Sequence, residues 1–181
     1  MDTAVWLPDQ ARYRKLMSPN YYQFKDGVQA MTKGVKIHVS ALPKSAQALA
    51  QYLLPQLIAW NVFHKILADT DLIAKAAEDN QKRKLITVYP QSPDDMETMA
   101  EGLDRMLMRR ECPLPVGHVA ACLPIDGDLG WGKSGYVFIR HGFYDKDDLS
   151  DDRAQVSQQL KDYLMKGKTD DLFIARPKRR G

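Results

Sequence analysis

The sequence predicts a single α+β domain, a mainly antiparallel sheet with helices packed on it. Three observations carry that expectation. The chain has 181 residues, about one domain's worth at roughly 100–200 residues per domain. Its 44% hydrophobic and 27% charged residues are an ordinary globular balance. Short segments that alternate apolar and polar residues lie among longer segments with helical spacing, without the regular βαβ rhythm of a doubly wound sheet.

Residues 1–175 read as one domain and 176–181 as a basic tail. The Arg176-Pro177-Lys178-Arg179-Arg180 run reads as solvated rather than as a grip on nucleic acid. Lys and Arg number 26 against 23 Asp and Glu, so the net charge of +3 selects no partner class. No run of about 18 apolar residues is present, so no membrane span is expected. The start carries Asp2 and no basic-then-apolar segment, which argues against classical secretion. The expectation is a cytoplasmic protein, or one delivered into a host cell by a non-classical route. Cys112 and Cys122 are too few for a disulfide framework and suit a reducing compartment.

Residues 1–30 carry Trp6, Tyr13, Tyr21, Tyr22 and Phe24 without clear periodicity and read as a short helix and loops over the core. Val35–Ser40 is a strand: Val35, Ile37 and Val39 face one way, Lys36, His38 and Ser40 the other. Ser45–Trp60 is helical, with Pro55 expected to kink or end it. A further helix is expected over Asp69–Asp79 and a strand over Lys84–Tyr89, stopped by Pro90. Pro93–Arg110 is helical: Ser92 caps it, Asp94 and Asp95 suit its dipole, and Met96, Met99, Leu103, Met106 and Leu107 make an apolar stripe. Glu111–Gly135 reads as a long loop around one short strand, His118–Leu123. Tyr136–His141 is a strand, and Asp151–Lys166 a closing helix stopped by Gly167.

Three constellations bear on chemistry. Gly127-Asp-Leu-Gly-Trp-Gly-Lys133-Ser134 spells a phosphate-loop pattern, but that pattern works through a helix starting directly after it. Here Gly135-Tyr-Val-Phe-Ile-Arg reads as a strand, so a glycine loop between strands is the simpler reading. Cys112, His118 and Cys122 lack paired zinc-ligand spacing, and nothing places either thiol beside a base. The cations are more informative. Lys36, His38, His64, Lys65 and Arg140 all sit in or beside apolar segments. A half-buried cationic cluster costs free energy unless an anion neutralises it, so their convergence would make a phosphate or carboxylate site.

Lys36-Ile-His-Val-Ser, Phe63-His-Lys65, Lys84-Leu-Ile-Thr-Val-Tyr89-Pro and Phe138-Ile-Arg140-His-Gly-Phe143 follow the order found in another group. In these segments, over roughly residues 30–144, the chain resembles the phosphothreonine lyase superfamily. That superfamily includes type III secreted effectors that remove phosphate from host kinases. It also includes the lyase domains of class III and IV lanthipeptide synthetases and related effector-like lyases, which the details resemble more closely.

The resemblance implies Lys65 as general base and His38 as general acid. Lys36 and Arg140 would bind phosphate, and Tyr89 would stand near the substrate. The effector lyases carry a further arginine before the Thr-x-Tyr strand; this chain has Lys75, Lys82, Arg83 and Lys84 there, of which Lys84 is expected to line the site. His64 remains a rival or helper to Lys65, because strand alternation sends the two to different sides.

The implied reaction is β-elimination of phosphate from phosphoserine or phosphothreonine, leaving a dehydroamino acid, with no metal or cofactor required. A free lysine has a pKa of roughly 10.4, which desolvation and neighbouring cations would have to lower for it to act as a base. The substrate would be a phosphorylated peptide or protein, prepared by a separate kinase, with no role for nucleic acid or membrane. Two alternatives stay open: a phosphopeptide-binding module or inactive effector that uses the same cationic pocket without turnover, and a nucleotide-binding loop.

Overall fold

The computed structural model describes residues 1–17, 20–26, 31–72, 84–114, 129–143 and 174–175. Eight strands form one sheet: β1 (Tyr13–Met17), β2 (Asn20–Phe24), β3 (Met31–Ser40), β4 (His64–Leu67), β5 (Lys84–Val88), β6 (Leu129–Gly130), β7 (Val137–Phe143) and β8 (Ile174–Ala175). The order is β1-β2-β4-β5-β3-β7-β6, β8 pairs with β3, and every pairing is antiparallel. With the helices α1 (Ala46–Ala59) and α2 (Pro93–Leu107), this is the expected α+β architecture.

Strand alternation builds the core. Val35, Ile37 and Val39 of β3, Ile66 of β4, Ile86 and Val88 of β5, and Val137 and Ile139 of β7 are fully buried. They share one cluster with Leu49, Leu53 and Leu57 of α1 and with Met96, Ala100 and Leu103 of α2. Each such side chain contributes about 1.5–3 kcal/mol on leaving water. The helices therefore occupy the face to which β3 turns its valines and isoleucine, and Lys36 and His38 fall on the opposite face.

α2 begins as its sequence requires. The Ser92 Oγ accepts the Asp95 N–H at 3.1 Å, Pro93 opens the first turn, and Asp94 and Asp95 lie at the positive end of the dipole. Ala100 takes the place in the buried stripe that the spacing gave to Met99, which is half-buried.

The structure departs from expectation in several places, one being β6, which lies in the 111–135 stretch expected as loop. Residues 1–30 contain two 3-10 turns (Thr3–Trp6 and Gln10–Arg12) and the β1–β2 hairpin, where a short helix and loops were expected. β3 starts at Met31, earlier than Val35, and carries Gly34 within it. α1 runs through Pro55 to Ala59. Proline removes the bond to the Gln51 carbonyl, but both residues are exposed, so water can satisfy that oxygen. A helical turn opens at Thr70, while the rest of the expected 69–79 helix, the 118–123 strand, the 151–166 helix and the 176–181 tail lie outside the described residues.

Candidate functional site

The segment Val62-Phe63-His64-Lys65 decides how the two sheet faces differ. His64 turns into the core and is fully buried. Its Nδ1 lies 2.8 Å from the Val62 carbonyl, which can only accept, so Nδ1 carries the proton. Its Nε2 then accepts from the Tyr13 hydroxyl at 2.7 Å, and the ring stacks on Phe24 with centroids 4.8 Å apart. Burial pushes the His64 pKa down to about 4, which keeps the ring neutral, and burial likewise pushes the Tyr13 hydroxyl up.

Lys65 turns the other way. Register places it opposite Gln23 on β2 and Thr87 on β5; Thr87 in turn faces His38 on β3, and His38 faces Phe138 on β7. Residues directly opposite one another project from the same side of a sheet. One step along, Lys36 faces Arg140. With neighbouring strands about 4.8 Å apart, the Lys65 backbone lies about 10 Å from that of His38, and Lys36 about 5 Å from Arg140. Lys36, His38, Lys65 and Arg140 thus share the sheet face opposite the helices, and His64 does not.

This face is partly dry. His38 is 4% exposed, and Thr87 and Phe138 are also buried, while Lys36, Lys65 and Arg140 are half-buried. Phe63 and Tyr89 form a small apolar cluster of their own, with rings 5.1 Å apart. The Tyr89 N–H donates to the Phe63 carbonyl at 2.9 Å, which fixes the aromatic pair at the end of β4 and β5. The Lys65 Nζ stands 5.6 Å from the Tyr89 ring centroid and 4.3 Å from that of Tyr21 on β2.

Lys84 stands apart. It pairs with Ser40 where the β3–β5 register shifts, at the opposite end of β5 from Tyr89. Its partner Ser40 is four residues along β3 from Lys36, about 13 Å of rise, so Lys84 lies well along the sheet from the Lys36–Arg140 pair. Tyr21 is the neighbour of Lys65 that sequence reasoning missed. Its signal was hidden because Tyr21 and Tyr22 are adjacent and both buried, on opposite faces of β2.

The glycine loop resolves differently from a phosphate loop. Gly132 and Gly135 adopt φ of 72° and 80°, and strand β7 follows, not a helix. The Lys133 and Ser134 N–H groups donate to the Asp104 carboxylate of α2 at 3.0 and 2.9 Å. A Cβ at Gly132 would run into that carboxylate. The amides that would cradle a phosphate already hold an anion from the protein itself. Cys112 is buried, and His118 and Cys122 lie outside the described residues. Among the described residues no three His, Cys, Asp or Glu side chains gather as a metal site. No described helix is long and apolar enough to cross a membrane.

Fold and face together define an α+β domain with a basic, partly buried sheet surface opposite its helices. Residues 9–168 match the family described as RamC, N-terminal domain, and the chain belongs to that family. The description names a domain and no reaction. No curated protein matches the sequence. Among solved structures, an effector protein from Pseudomonas syringae pv. syringae strain 61 is similar at 13% identity and a TM-score of 0.48. That alignment covers 92% of this chain and 58% of the effector, so the chain spans somewhat over half of that structure's length.

Proposed function

We propose that this protein is a phosphoserine/phosphothreonine lyase that eliminates phosphate from a phosphorylated peptide or protein. The observation that supports the reading is the shared face of Lys36, His38, Lys65 and Arg140, with His64 turned into the core. The resemblance in the three segments that hold these residues, and in the Lys84–Pro90 segment beside them, points the same way.

In this reading Lys65 Nζ takes the Cα proton of the phosphorylated residue. The C–H electron pair becomes the Cα=Cβ double bond as the Cβ–O bond breaks. His38 delivers a proton to the departing bridging oxygen, and phosphate leaves intact. Arg140 offers a forked donor to the phosphate and Lys36 a point charge beside it, so both neutralise charge that grows as the bond breaks. Tyr89 and Phe63 keep water from the base on one side. No water adds and no metal is required. Dehydroalanine or dehydrobutyrine remains, which no kinase can phosphorylate again.

The substrate must arrive phosphorylated, so a kinase activity acts first. That substrate is a biosynthetic precursor peptide if the protein works in its own cytoplasm, or a signalling protein if it is delivered into a host. The test is incubation with a phosphothreonine peptide in the presence of chelator. Loss of the elements of phosphoric acid, read by mass spectrometry, is the expected result. Release of a hydroxyl product would mean hydrolysis, and tight binding without turnover would mean a phosphopeptide-binding module.

A further inference from the structure

We infer that Tyr21 is a positioning residue of this site, its ring face holding the Lys65 amine in place. The N-terminal hairpin is then a working wall of the site and not only a cover for the core. The inference deepens the lyase reading and rests on Lys65 as its base.

Three observations converge on it. The Lys65 Nζ lies 4.3 Å from the Tyr21 ring centroid, closer than the 5.6 Å to Tyr89, so the amine leans toward the hairpin. The Tyr21 residue is 7% exposed, so its ring is confined where it stands. The ladder pairs Tyr21 with Leu67 and Gln23 with Lys65, which makes Tyr21 the diagonal neighbour of Lys65 on the same face.

The need for such a residue follows from lysine itself. Its four-carbon stem has many rotamers, whereas proton abstraction requires the amine at one place. Groups facing it act in opposite senses. Tyr21 from β2 and Tyr89, directly after β5, present ring faces that favour the ammonium form. Lys36 and His38 from β3 and Arg140 from β7 bring like charge or a titrating ring, which opposes it. Gln23 and Thr87 are neutral, and Arg14 of β1, which donates to the Gln23 Oε1 at 3.0 Å, adds like charge from the hairpin side. Removing the Tyr21 ring therefore frees the amine and also tilts it toward the neutral form.

The experiment compares Tyr21→Leu, Tyr21→Phe and the native protein on a phosphothreonine peptide, after thermal melting confirms that each variant is folded. Tyr21→Leu is expected to lose about tenfold or more in kcat, as a misplaced group does, with KM little changed. Its acid limb is expected to move about half a pH unit lower. Tyr21→Phe keeps the ring face and is expected to restore both. Equal losses in the two variants, or unchanged kcat in Tyr21→Leu, overturn the assignment. A second readout needs no turnover: NMR titration of the Lys65 side chain in the three proteins. If the native protein eliminates nothing, the lyase reading fails, and the titration alone decides whether the ring governs the amine. A shift in Tyr21→Leu that Tyr21→Phe lacks upholds the contact, and an unmoved titration overturns it.

Discussion

His64 and Lys65 are consecutive residues with opposite fates. The histidine is sealed in the helix-covered core, neutral, with both ring nitrogens engaged and Phe24 stacked on it. The lysine lies half-buried against two tyrosine rings on the other face, in line with Thr87 and His38. One step of strand separates a group held wholly by the core from one on the basic face. What distinguishes them is the face of β4 that each occupies, the helix-covered core for His64 and the basic surface for Lys65.

The contrast can be broken from either side, and the largest effect is expected at the lysine. Lys65→Ala should lower elimination by about 10³-fold, within the range of a lost general base, while the melting temperature stays near that of the native protein. Phosphopeptide affinity, read by fluorescence anisotropy, should survive. If Lys65→Ala keeps full activity, the base lies elsewhere.

His64→Ala should do the reverse. It leaves the buried Tyr13 hydroxyl unpaired and a cavity beside Phe24, a cost of about 3 kcal/mol in urea unfolding. Activity per folded molecule should hold. Acid should expose the same residue in the native protein. The folded pKa is about 4, below the ordinary value of roughly 6.5, so between those values the unfolded chain binds the proton and the folded one does not. Stability is then complete above pH 6.5 and falls as pH drops through that window, by about 3 kcal/mol at most. His64→Ala should flatten this part of the profile.

Smaller effects sharpen the picture. Arg140→Lys keeps the charge but loses the forked donor, so kcat/KM should fall about tenfold. Ser92→Ala removes the oxygen that caps α2 and should cost about 1 kcal/mol in urea unfolding.

Local signals carried much of this fold. Ser92-Pro93-Asp94-Asp95 starts a helix by rules that need no tertiary partner, and the alternation of Val35–Ser40 identifies a strand wherever it lies. The β1–β2 hairpin was illegible for the opposite reason. Its aromatics are buried on both faces, Tyr21 toward Lys65 and Tyr22 with Phe24 toward the core, so no period of two survives. Pro55 misled because its cost depends on whether the orphaned carbonyl meets water, which only packing decides. Alternation foretold that His64 and Lys65 part company. Which of them joins Lys36 depends on the β4–β5 and β3–β5 registers, and those are long-range facts.

β3 binds together stretches of chain made at very different moments of synthesis. Its residues pair with β5, with β7 about a hundred positions later, and with β8 near the end. On the ribosome, therefore, the Lys36–Arg140 couple cannot close until most of the polypeptide has emerged. Such distant pairings fold slowly, and in the interval β3 offers a bare valine-rich margin to any passing chain.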